Sequence, residues 1–251
     1  MTVYELRSMS AGEILDGALA IYRHQFWSFV TIAVVCEGIP TILNAYVQLG
    51  GGWIVHPWLG FLSFVLAALG SLLAAGAIVR AIAAAYLGDV LSPGDALRLA
   101  LGKIWPLFVA GTAAYLLILL GALAFLVPGV ILACGYSLTA QVVVLEELPG
   151  ATDALPRSWH LTKGYKWKAL GLGIVVFLIF FLPAMAAGFL VALVPAGQVV
   201  IDVVSQLLQM VLYPVFAAVF TLFYYDLRVR KEAFDVELLG QQLGLSETPG
   251  W

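Results

Sequence analysis

Polar positions are so sparse along this chain that six stretches run as nearly unbroken apolar sequence, at residues 26–49, 58–87, 107–127, 130–146, 169–194 and 199–225. Each is close to the ~20 residues a helix needs to cross a hydrocarbon core, and the fourth is the shortest. Barrel strands would alternate apolar and polar over about ten residues, whereas these runs are apolar on every face, so the pattern predicts helices. The expected fold class is all-α: a polytopic membrane helix bundle with six transmembrane helices. One transmembrane domain would occupy residues 1–228 and a cytoplasmic tail residues 229–251, where Val236, Leu239 and Leu243 fall at helical spacing.

Between the spans the pattern changes period. The segments SAGEILDGALAIYRHQFW from Ser10, SPGDALRLALGKIW from Ser92 and PGATDALPRSWHLTKGYKW from Pro149 each carry a turn or cap residue, an acid, an amphipathic stretch, then basic residues and Trp directly before a span. In the first, Ser10 and Glu13 form a capping box, with Met9 and Ile14 placed as a hydrophobic staple. In the second, Ser92 caps, Pro93 takes the first helical position and Asp95 faces the positive end of the helix dipole. In the third, Asp153 is the expected cap. Apolar residues recur at helical spacing (Ile14, Ala18, Ile21; Leu97, Ala100, Leu101, Ile104; Leu155, Trp159) with charges opposite, the signature of helices lying in the membrane interface at about 10–24, 92–104 and 153–166. The chain thus reads as three units, each an in-plane helix followed by a transmembrane hairpin.

Composition agrees with this picture. Hydrophobic residues make up 63% of the chain and charged ones 11%, against soluble averages of roughly half and about a quarter. The acidic N-terminal segment, with Glu5, Glu13 and Asp16 and no apolar run before about residue 25, does not resemble a cleaved signal peptide, so the first span is expected to stay as an anchor. Cys36 and Cys134 each sit inside an apolar run and read as packing residues.

Charge decides topology. All twelve Lys and Arg fall before span one, around the links from span two to three and from four to five, or after span six; the links LGGGWIVHP, VPG and VPAGQ have none. The positive-inside rule then puts both termini and the two longer links on the cytoplasmic side of the inner membrane. Arg23, Arg98, Lys103, Arg157, Lys163, Lys166 and Lys168, with Trp159 and Trp167, are the candidate contacts to anionic lipid headgroups, each cation contributing roughly 1 kcal/mol near such a surface. A membrane or cytoplasmic protein, or a second copy of the chain, is the alternative partner for this surface; nucleic acid is not expected.

Inside the spans, Glu37 lies about 18 Å along the first helix, near the bilayer middle. A carboxyl at that depth costs roughly 2–3.5 kcal/mol and usually faces the protein interior. Gln48, Asn44 and Glu37 share one face of span one, and Gln206, Gln209 and Asp202 sit on span six, which predicts a polar seam between the two spans. Structural hydrogen bonding and a solute or proton path are its two readings. Pro40, Pro183 and Pro214 interrupt spans one, five and six. Span two carries a small-residue face (Ala67, Gly70, Ser71, Ala74, Ala75) suited to close helix packing, and Arg80 is expected to snorkel inward or to pair with Asp89 or Asp226. His24 and His160 are the histidines of the in-plane helices, and no catalytic or metal constellation assembles around them, so neither an enzyme nor a cofactor is expected.

The stretches PGVILACGYSL, VVVLEELPGATDALPRSWHLTKGYKWKALGL and LFYYDLRVRKEAFDVELL, with SAGEILDGALAIYRHQF, resemble the bacterial glycerophosphoryl diester phosphodiesterase membrane-domain family. That resemblance implies a six-span integral membrane protein. The family name comes from members in which such a domain is fused to a phosphodiesterase, and this sequence holds no such enzyme domain, so the name carries no activity here. Two functions follow as expectations: a non-enzymatic scaffold or accessory module binding lipid or protein at the cytoplasmic face, or a small-solute transporter or channel built on the seam around Glu37.

Overall fold

A computed structural model describes residues 7–192 and 198–232. The short helix α1 (Ala11–His24) leads into α2 (Phe26–Leu49) and α3 (Pro57–Tyr86); α4 (Pro93–Leu101) leads into α5 (Ile104–Ala124), α6 (Leu126–Tyr136) and α7 (Thr139–Leu145); and α8 (Ala154–Thr162) leads into α9 (Lys166–Ala192) and α10 (Gln198–Glu232). The described residues form an all-α bundle with six helical stretches long and apolar enough to cross a membrane, the fourth being α6 and α7 together. The order short helix, span, span occurs three times. In each repeat Trp is the second residue of the span after the short helix, and Trp27, Trp105 and Trp167 are 77%, 70% and 85% exposed, a matched placement for rings at a membrane interface.

The spans follow one another round the bundle as α2, α3, α5, α6, α9 and α10, and α10 closes the ring on α2 while also packing across it on α3. The core lies toward the basic end, where Ala77, Ile78 and Ile82 of α3 meet Ala218, Leu222, Phe223 and Tyr224 of α10, all essentially buried.

Local chemistry sets the helix starts. Ser10 accepts from the Glu13 amide while the Glu13 carboxylate accepts from the Ser10 amide, and Met9 and Ile14 are both buried beneath this box. Ser92 caps α4 by accepting from the Asp95 amide at 3.2 Å. Asp153 makes no such cap: a 3-10 turn over Ala151–Asp153 feeds α8 directly, so its first amides are engaged by the turn rather than by a side chain. The short helices are also more embedded than in-plane amphipaths need be. In α8, Ala154, Leu155, Ser158, Leu161 and Thr162 are all buried against α6, α7 and α10.

Two spans depart from expectation. The fourth is broken at Ser137 and Leu138, where a continuous helix over 130–146 was expected, because α8 supplies replacement hydrogen bonds. Ser158 Oγ donates to the Gly135 carbonyl at 2.9 Å and accepts from the Leu138 amide at 3.3 Å, and Thr162 Oγ1 donates to the same Gly135 carbonyl at 3.2 Å. The sixth does not end near residue 225: α10 continues to Glu232, stapled by the i,i+4 pairs Asp226 with Arg230 and Arg228 with Glu232, so the first residues of the expected tail belong to the helix. The helix expected around Val236, Leu239 and Leu243 lies outside the described residues.

Candidate functional site

Of the polar residues expected along one seam, Glu37, Asn44, Gln206 and Gln209 line one cavity. Its volume is about 760 Å³, and it is bounded by the α2–α3 pair on one side and α9–α10 on the other, with Trp53 of the α2–α3 link contributing. Glu37 and Asn44 enter it from α2, Ser63 and Ser71 from α3, and Ser205, Gln206 and Gln209 from α10. Asp202, also on α10, is not among the lining residues.

Glu37 finds its partner on α3 rather than on α10, where the sequence placed it. Ser71 Oγ donates to Glu37 Oε1 at 2.7 Å. The geometry rests on the α2–α3 crossing: a Cβ built on Gly70 would fall on the carbonyl oxygen of Cys36, so only glycine lets the two backbones meet there. That carbonyl is the one freed by Pro40, whose ring nitrogen cannot return the usual i→i−4 bond. One turn further on, Thr41 Oγ1 donates to the Glu37 carbonyl at 2.7 Å. Proline, glycine and serine therefore cooperate to place one carboxyl against the cavity. Cys36 and Cys134 are buried free thiols, consistent with packing.

The other walls are apolar. Phe177, Phe180 and Phe181 of α9 face Phe64 of α3, and toward the basic end the cavity stops at Ile78 and Tyr213. Phe64, Phe177 and Phe181 are each exposed and lie within their apolar helices, while Trp53 of the α2–α3 link carries the lining to the end of the helices opposite the basic end.

At the basic end the expected headgroup cations divide into two groups. Arg157 gives a two-pronged contact to Glu146, at 2.7 and 3.0 Å, and a further bond to Glu232 at 3.0 Å; Tyr224 also donates to Glu146, and Arg228 to Glu232. The hydrogen bond to Glu146 pushes the Arg157 guanidinium still further above its ordinary range. Lys168 and Arg230 both donate to Asp226, at 2.6 and 2.9 Å, and both also reach the Met9 carbonyl, while the Met9 amide donates to Asp226 at 2.7 Å. Lys103 meets Glu147, and Lys166 stands 3.2 Å above the Trp159 ring, which itself lies on Gly135 where no larger residue would fit. Arg23, Arg98 and Lys163 remain exposed. Thus Arg157 and Lys168 spend their charge on acids within the protein. His24 and His160 are exposed on α1 and α8.

Arg80 joins neither expected acid. Asp226 is already occupied by Lys168 and Arg230, and Arg80 Nε is buried without a hydrogen-bond partner, as are Gln141 Oε1 and Thr221 Oγ1.

A family model described as a domain of unknown function (DUF7847) matches residues 21–227, which takes in the first five spans, most of the sixth and the whole cavity. No curated protein and no solved structure matches the chain.

Proposed function

We propose that this chain, which belongs to that family of unknown function, is a non-enzymatic membrane carrier that takes an amphiphilic small molecule from the bilayer into the cavity beside Glu37. The observation that carries the proposal is the coincidence of the polar seam with a cavity of about 760 Å³, inside the roughly 300–1,000 Å³ range of small-molecule sites, with apolar walls and few polar groups. Phe64, Phe177 and Phe181, which are exposed and also line the cavity, suit a ligand arriving from lipid. Three of the four helices around the cavity contain an internal proline, Pro40, Pro183 and Pro214, and interrupted helices near mid-membrane sites are a recurrent feature of secondary transporters. On the positive-inside orientation the end of the cavity at Ile78 and Tyr213 faces the cytoplasm.

The scaffold reading keeps one specific support, the exposed Trp27, Trp105 and Trp167 beside Arg23, Arg98 and Lys163, which suit an anionic inner leaflet. The internal pairing of Arg157 and Lys168 weakens it. The resemblance to the glycerophosphoryl diester phosphodiesterase membrane-domain family forms part of the proposal and adds no activity to it.

The test is to fill the cavity. Ala67→Trp on α3 and Ser205→Trp on α10 each place an indole in it from opposite walls. With the protein purified in native lipid discs, the small molecules and lipids bound to the wild type are expected to be depleted in both variants at an unchanged unfolding temperature. An identical bound set in wild type and both variants would overturn the carrier reading.

A further inference from the structure

We propose that the molecule held in this cavity is an amphiphilic organic cation, an ammonium or comparably delocalised positive charge on an apolar or aromatic body. The inference rests on the carrier reading and adds the chemical class of the ligand.

The charge of the walls carries it. Among the described residues lining the cavity Glu37 is the one acidic or basic side chain; every other polar group there is a hydroxyl, a carboxamide, the Tyr213 phenol or the Trp53 indole N–H. Arg80, the nearest cation on α3, lies nine residues beyond Ser71, ~13 Å along the helix, and is not in the wall. Glu37 Oε1 accepts one neutral hydrogen bond, from Ser71, and Oε2 has no hydrogen-bond partner among the described residues. An ionised carboxyl at membrane depth is expensive unless another charge accompanies it. The described lining residues include no cation, and a cationic ligand would supply that counter-charge.

The apolar surface points the same way. Trp53, Phe64, Phe177, Phe180, Phe181 and Tyr213 put aromatic side chains in the cavity wall, and ring faces attract cations most strongly where water is excluded. An anion would meet Glu37 and the negative faces of the rings together. A neutral amphiphile would fill the space but leave Oε2 as it is.

Tetraphenylphosphonium is a suitable probe, with triphenylphosphine oxide as its neutral relative. Binding of radiolabelled tetraphenylphosphonium to the full chain in lipid nanodiscs is expected to saturate, to weaken at least tenfold in Glu37→Gln, to survive in Glu37→Asp, and to resist competition by the neutral compound. Equal binding of both compounds, unchanged in Glu37→Gln, would overturn the cation inference and leave the cavity a neutral amphiphile site. If neither compound binds while Ala67→Trp still strips co-purifying molecules, the inference also fails and the carrier reading stands. If Ala67→Trp strips nothing, both fall.

Discussion

The α-carbon of Gly70 rests against the carbonyl oxygen of Cys36, at the point where Pro40 has removed that oxygen's helical partner. This contact sets the spacing of α2 and α3 and, one residue on in each helix, brings Ser71 to Glu37. Adding a methyl group would push against backbone, which cannot rotate away, so Gly70→Ala should cost about 1–3 kcal/mol as an overpacking substitution. Gly173→Ala on α9, where a Cβ meets nothing within 4 Å, is the control and should be neutral or slightly stabilising. Thermal unfolding of the two variants in one detergent checks this; equal unfolding temperatures would mean the close crossing has no structural weight.

Much of this architecture was legible in the sequence, because burial in a bilayer imposes apolarity over whole helices. The first span matches the expected limits, residues 26–49, and the capping box at Ser10 and Glu13 forms as the residue types dictate. What escaped depended on partners distant in the chain. The break at Ser137 and Leu138 relies on Ser158, twenty residues away from Leu138, and without that hydroxyl the same sequence reads as one span. Ser71 read as one more small packing residue, since a serine on a close-packed face looks the same whether or not a carboxyl waits across the crossing. Arg157 and Lys168 look like outward-facing cations when taken alone; Glu146, Asp226 and Glu232, the acids at the same helix ends in VLEELPG and YYDLRVRKE, carry the signal for their ion pairs.

Asp226 ties three parts of the chain together at the basic end. Its carboxylate is fully buried and accepts from Lys168 of α9, Arg230 of α10 and the Met9 amide just ahead of α1. Asp226→Asn keeps the volume and removes the charge, leaving Lys168, only 16% exposed, without its counter-ion. Loss of one partner from a buried pair costs about 3–5 kcal/mol. The expected outcome is a lowered unfolding temperature together with faster amide exchange through α1, because Met9 loses its anchor. Destabilisation without any change in α1 would show that Asp226 supports α10 alone.

The α1 cap makes a prediction about pH. The Ser10 backbone amide, with help from Arg7 and the Ser10 hydroxyl, holds the Glu13 carboxyl at about 2, well below its ordinary 4.5. A carboxyl depressed in the folded state adds stability above the unfolded value, and that contribution is lost as pH falls from about 4.5 through about 2. Hydrogen exchange of the first turn of α1, corrected for intrinsic rates, should therefore show the cap still formed at pH 3 in the wild type. Glu13→Gln retains the capping geometry without the charge, so its first turn should be less protected at neutral pH and insensitive to acid across that window. A wild-type transition centred near 4.5 would mean that the Ser10 amide does not hold the carboxylate. A transition near 2 that disappears in Glu13→Gln would assign acid loosening of α1 to this one carboxyl.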